Sequence, residues 1–284
     1  MKKSTKSSII VGVIIVVIGV VVLLCALGMS GWKFNKVNDW RENFYYSIAS
    51  VSKLNVKVNA GKVVIKHSET DEIQVRYQFN DKYKPQFSEN SGVLSIETAQ
   101  KKWYEFNWWF KDAPLIEIHV PQDMYPEIDV VVNAGTMNLD DGEWGKLIDV
   151  ELNAGAITIG NVSVDELYLD VNAGAIDVQK IQCQKITCSI SAGAFSAKEI
   201  ICDAFGCDIS AGGVEVKTLD SRSIKVDVAA GSADLWLVGA KSDYNVSVDK
   251  SAGSCNVSSQ TSASASRTLT IDISAGSVEI GFGK

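Results

Sequence analysis

Apolar and polar positions alternate through most of this chain. Leu167, Leu169 and Val171 alternate before Gly174, Ile176 and Val178 follow it, and Ile181 closes the set. The same spacing returns as Phe205, Cys207, Ile209, then Val214, Val216, Leu219 around Gly212. It returns again as Ile224, Val226, Val228, then Ala233, Leu235, Val238 around Gly231. A two-residue period predicts strands with one buried face. The apolar set changes parity across each glycine, which an uninterrupted strand cannot do, so the chain is predicted to turn there.

These glycines recur. An (Asn/Ser/Ala)-Ala-Gly corner ends at Gly61, Gly135, Gly155, Gly174, Gly193, Gly212, Gly231, Gly253 and Gly276, with gaps of 74, 20, 19, 19, 19, 19, 22 and 23 residues. Such a fixed period predicts a stacked array, because one coil cannot bury its apolar face alone. Glycine is expected where the corner needs a positive φ, and the alanine beside it is expected to point inward where only a methyl fits. The fold class predicted is all-β: a single-chain β-solenoid, parallel and β-helix-like, with coils of 19–20 residues. Between Gly61 and Gly135 the repeat is interrupted, and Glu72–Phe79, Val93–Thr98 and Leu115–Val120 read as further strands. They are expected to form a non-repeat cap or insertion at 66–120. The chain stops soon after Val278, Ile280 and Phe282, with no cap visible at that end, which is therefore expected to meet a partner or a second copy.

One segment departs from the alternation. Ile9 to Met29 is 21 residues without a charge, preceded by Lys2, Lys3 and Lys6. About 20 apolar residues span a bilayer as a helix, and the upstream lysines favour a cytoplasmic N-terminus. The expected organisation is a cytoplasmic tail at 1–8, an N-terminal transmembrane helix at 9–29, a linker at 30–46 and an extracytoplasmic solenoid at 47–284. A cleaved signal peptide is the alternative, with Ala26-Leu27-Gly28 as its small-residue site, although its apolar region is usually shorter.

Composition narrows the function. A net charge of −7 gives no basic face for nucleic acid, and only His67 and His119 are available for imidazole chemistry. No zinc-protease, nucleophile-elbow, phosphate-loop or dinucleotide motif occurs, so neither a catalytic residue nor a cofactor is assigned.

The run Leu54-x-Val56-x-Val58-x-Ala60-Gly61-x-Val63-x-Ile65, the long excursion, Ile116-x-Ile118-x-Val120-Pro121 and the regular coils behind them carry a resemblance. From about Ser47 onward the chain resembles the bacterial putative-adhesin family of β-strand-repeat proteins of unknown function. The resemblance implies an envelope protein, some relatives being tied to envelope-stress systems, and it brings no catalytic residues.

Three features remain as candidate sites. Four residues before successive corner glycines stand Glu151, Asp170, Ser189, Asp208, Asp227, Asp249 and Asp272 on the outward parity. The acids are a candidate divalent-cation stripe, or a solvated face that prevents sheet-to-sheet aggregation. The run Trp103, Tyr104, Phe106, Trp108, Trp109 and Phe110, flanked by Lys101, Lys102 and Lys111, is a candidate glycan or membrane contact, or a buried cap. Cys183 with Cys202, and Cys188 with Cys207, share registers in adjacent coils; packing is expected for the second pair and a disulfide is the candidate state of the first. Asn133, Asn153 and Asn172, continued by Ser191 and Ser210, are expected to satisfy corner hydrogen bonds. The function expected is a non-enzymatic, membrane-anchored envelope protein with an envelope protein or glycan as partner. An envelope-stress accessory that contacts the membrane, or an enzyme acting on wall polysaccharide, are the competing readings.

Overall fold

The computed structural model describes residues 41–47, 50–79, 84–98 and 114–283. The proposed anchor at 9–29 and the aromatic run at 103–110 lie outside them. Among the described residues no helix is long and apolar enough to cross a membrane. Among the described residues the fold is all-β: one 14-stranded sheet curls on itself, and its helical element is a short 3-10 turn at Lys241–Asp243.

The regular region comprises β8 (Glu127–Val132), β9 (Gly135–Leu139), β10 (Gly142–Glu143), β11 (Leu147–Ser163), the long ribbon β12 (Glu166–Leu237), β13 (Tyr244–Cys255) and β14 (Arg267–Phe282). Each coil has three arms. Around Gly174, Leu167, Leu169 and Val171 point inward from the first, Ile176 and Val178 from the second, and Ile181 from the third. Coils stack in parallel with identical positions in register, so Leu152 lies beside Val171, Gly155 beside Gly174 and Ile157 beside Ile176. The core is therefore a column of branched aliphatic residues, each covered by its counterparts above and below.

The corners hold glycine for a different reason from the one expected. A Cβ on Gly135 (φ +141°) would lie 1.9 Å from the carbonyl oxygen of Gly61. Gly212 lies outside the left-handed φ range, yet a Cβ there would still meet the Gly193 oxygen at 2.3 Å. Close stacking of backbone on backbone is the common demand, and positive φ accompanies it at some corners only. The alanine expectation is overturned. Ala154, Ala173, Ala192, Ala211 and Ala230 are exposed, so a larger side chain there would extend into solvent rather than overpack the core.

The first coil is β2 (Lys53–Val58) with β3 (Gly61–Ser68), stacked on β8 and β9. Beyond it, β6 (Val93–Glu97) pairs in parallel with β2, and β7 (Leu115–Pro121) pairs in parallel with β3. These two strands make one more rung and are joined in sequence by residues 98–114. Antiparallel strands then cover the rung: β5 (Gln86–Asn90) on β6, β4 (Gln74–Phe79) on β7, and β1 (Arg41–Tyr46) on β4. Residues 41–46, read from sequence as the end of a linker, are thus the outermost strand of this cap. β5 was also missing from the sequence reading; it is joined to β6 by a tight turn with φ 51° at Ser91 and +79° at Gly92.

The other end departs from chain order. β14 pairs with the last coil of β12 on one side and with β13 on the other, so the final strand of the chain is the penultimate rung. β13 is outermost. Composition explains the exchange. β14 carries Leu269, Ile271, Ile273, Val278 and Ile280 inward, whereas β13 places Lys250 opposite Ile273 and exposes Asp249 through Ser254. The more apolar strand takes the position with two neighbours, and the polar one takes the edge. Ser259 and Gln260 fold back over β13, with Val246 and Gln260 exchanging backbone hydrogen bonds of 2.9 and 2.8 Å.

Candidate interaction surfaces and the charged cap network

The acidic row lies on the outer face of the first arm. Glu151 is in register with Asp170, Asp227 with Asp272, and Asp272 with Asp249. Asp272 therefore stands between Asp227 and Asp249, the reverse of their order along the chain. Lys225 Nζ donates to Asp227 at 2.6 Å. Burial works to raise the Asp227 carboxyl, but the Lys225 ammonium and hydrogen bonds from Asp208 and Asp272 hold it below the usual carboxylate range. Asp208 and Asp272 shift upward, first by burial and then by sharing a hydrogen bond with Asp227. Lys225 thus offsets part of the repulsion among the central acids. Divalent cations require several oxygens converging on one point. Among the described residues no group of three or more His, Cys, Asp or Glu side chains is placed to hold a metal ion.

Beside the corners runs an amide ladder longer than expected. Asn172 donates to Asn153 at 2.8 Å, Asn153 to Asn133 at 2.9 Å, and Asn133 to Asn59 at 2.7 Å. Asn59 passes the chain to the Thr98 carbonyl at 2.6 Å, while its own backbone N–H donates to the Thr98 hydroxyl at 2.8 Å. The ladder ties the cap rung to the regular coils just beyond the end of β6.

The five described cysteines are free thiols. Cys183 lies against Cys202 and Cys188 against Cys207; in each pair the neighbouring thiol and then burial push the first cysteine's pKa up. Neither Cys183 nor Cys188 is therefore a ready thiolate.

A charged network in the cap went unread in the sequence. Glu117 on β7 is 9% exposed and sits among Lys66 of β3, Arg76 of β4 and His119. Lys66 Nζ contacts its Oε1, and Arg76 donates to its Oε2 at 3.2 Å while also reaching Glu42 of β1 at 2.6 Å. His119 Nε2, 3.6 Å from Glu117 Oε1, is buried and makes no hydrogen bond. Burial would raise the Glu117 carboxyl, but Lys66, His119 and Arg76 together hold it low. For His119 the dominant cause is burial, reinforced by Lys66, and its pKa falls below the ordinary imidazole value. Four strands are pinned together by this one carboxylate and its cations. His119, one of the two histidines of the chain, is part of this network. Near it, a shallow open cleft is lined by Ser47, Ser50, Thr70, Asp71, Glu72 and Met124.

A family model described as Toastrack DUF4097 matches residues 51–282. Solved structures share the fold. A protein from Bacteroides fragilis described as a putative adhesin is 14% identical, with 86% of this chain and 97% of that one covered and a TM-score of 0.57. A putative adhesin from Parabacteroides merdae is 12% identical over 86% and 97% of the two chains, with a TM-score of 0.53. A protein from Parabacteroides distasonis described as a putative lipid binding protein is 14% identical over 87% and 98%, with a TM-score of 0.55. At such identities the likeness establishes the fold alone. None of the curated proteins matches the chain in sequence.

Proposed function

This chain belongs to the Toastrack DUF4097 family, and from that premise we propose that it is a non-enzymatic, membrane-anchored component of the cell envelope that presents its stack of coils for adhesion or protein contact. The observation that carries the reading is how the outer polar groups are used. Asparagines bond to asparagines, Lys225 pairs with Asp227 in the acidic row, and Glu117 binds the cations of two neighbouring strands. Side chains committed to holding coils together make a stiff display surface, since each coil is locked to the next from outside as well as through the core. The uncharged segment 9–29 supplies the tether, placing the stack outside the cytoplasm. Three of the structural neighbours described above carry names that speak of adhesion or lipid binding, which agrees with an envelope role.

Photo-crosslinkers placed at Asn138 and Asp234, on the outer face of the second arm, test this in intact cells producing the full chain. Adducts with an envelope protein or wall glycan are expected, from a membrane fraction. Exclusive recovery from the cytosol, or turnover of wall glycan by the purified chain, would overturn the reading.

A further inference from the structure

Large apolar side chains with the greatest exposure among the described residues are Phe44 at 50%, Tyr46 at 48%, Tyr125 at 48% and Trp236 at 44%. Phe44 and Tyr46 share the outer face of β1, with ring centroids 6.5 Å apart and planes within 22°. Between them Tyr45 turns the other way, stacks on Phe87 at 4.4 Å and donates its hydroxyl to Glu89 at 3.1 Å. The inner face of β1 is therefore what fastens the strand to the cap, and the two outer rings are left over. Tyr125 belongs to the same end, following Met124, which lines a cleft with Ser47 just beyond Tyr46. Arg76 stands opposite Phe44, so the rings have a charged neighbour.

Sequence before β1 says what lies nearby. Eleven residues separate Met29, the end of the uncharged segment, from Arg41, and they include Trp32, Lys33, Phe34, Lys36 and Trp40. Fully extended, such a stretch reaches at most roughly 40 Å, and aromatic and basic residues of this kind concentrate at headgroup depth. Further aromatic residues follow in β1, Phe44 and Tyr46 among them, after Arg41, Glu42 and Asn43. An aromatic pair with a polar rim suits a layer that is apolar on one side and wet on the other.

We propose that the outer face of β1, through Phe44 and Tyr46, rests on the lipid headgroup layer of the bilayer that segment 9–29 enters. This rests on the anchored reading above. It sets the stack with its cap toward the membrane and β13 farthest away, so that the open end is the one presented outward.

The full chain in phosphatidylcholine–phosphatidylglycerol nanodiscs carries the test, with trifluoromethylphenylalanine installed at position 44 or at position 236. Lipid bearing a nitroxide on its headgroup is expected to broaden the fluorine signal at 44 several-fold and leave 236 sharp. An unchanged signal at 44 in chains that do enter the discs overturns the docking face while leaving the anchor intact. Equal broadening at both positions also overturns it, because the cap would then have no preference. A signal at 44 that responds to protein concentration instead of nitroxide assigns the face to a second copy. Failure of the chain to enter discs overturns both the docking face and the anchor.

Discussion

The two ends of the stack solve one problem in opposite ways. A parallel array ends in a strand whose backbone groups lack a neighbour. At the N-terminal end the chain adds material: β6 and β7 make an extra rung, β4 and β5 cover it in antiparallel fashion, and β1 covers β4. Glu117 then ties β7 to β3 and β4 through Lys66 and Arg76, and Arg76 holds Glu42 of β1. At the far end the chain subtracts instead. It leaves β13 as a polar, exposed edge and gives its inward register a lysine, Lys250, where other coils carry Leu152, Val171 or Val228. The first end is built to hold, and the second is built not to be extended.

Identical substitutions at the two ends should separate these strategies most strongly. Gly135→Ala places a Cβ 1.9 Å from the Gly61 oxygen, between rungs held on both sides. It is expected to cost more than about 3 kcal/mol or to prevent folding, because neither rung can withdraw. Gly253→Ala meets the Gly276 oxygen at 2.4 Å, but on an edge strand that can move outward. About 1–2 kcal/mol is expected there. Denaturant midpoints of both variants check the difference, and equal losses would mean that the edge rung is as rigid as the capped one.

Glu117→Gln attacks the cap alone. It leaves Lys66 and Arg76 without their shared carboxylate, and because both cations are partly exposed and can regain water, a loss of about 2 kcal/mol is expected rather than the larger cost of a fully buried pair. Hydrogen exchange should quicken in β1, β4 and β7 while β13 and β14 stay unchanged. Acid tests the same network. His119 is held below its ordinary value of 6.5, so the unfolded chain takes that proton first and cap stability falls as pH drops from about 6.5. Glu117 is held below 4.5, so its contribution is present above that pH and is lost as pH falls through the lower folded value. Two successive losses of protection in the cap are expected, and His119→Asn should erase the first while sparing the second.

How far these features could be read in the sequence depended on whether they repeat. Strands, corners and the asparagine ladder recur at a fixed spacing, so alternation around Gly174 or Gly212 was enough to place them. The cap network has no such signal. Lys66, Arg76 and Glu117 lie far apart in sequence, each resembles an ordinary outward strand residue, and only the pairing of β3, β7 and β4 brings them together. β1 was missed because aromatic side chains sit on both its faces, which hides the two-residue period. The corner alanine was misjudged since parity changes at that point, and a pattern that flips between two residues cannot say which of them faces in. One cue was overlooked: Lys250 interrupts the inward register, and it marks the edge strand on which the order of the last two coils turns.

That lysine offers the smallest effect and the sharpest contrast. In β13 it stands opposite Ile273, at the register that Leu152 and Val171 fill in two adjacent coils nearer the cap. Lys250→Val restores the apolar residue. Its gain to the stack should be modest, about 1 kcal/mol, because the edge strand has a neighbour on one side only and a valine there buries incompletely. The larger consequence lies outside the molecule. With an apolar inward row and open backbone from Asp249 to Ser254, β13 becomes a template for another strand, which an inward charge on an edge ordinarily prevents. The variant is expected to self-associate at concentrations where the parent chain does not, as read by sedimentation velocity in matched detergent. If parent and variant associate equally, the edge is already a docking surface for a second copy and Lys250 does not guard it. If neither associates, Ser259 and Gln260, folded back over Val246 and Val248, are the guard, and their removal together with Lys250 should then release the edge.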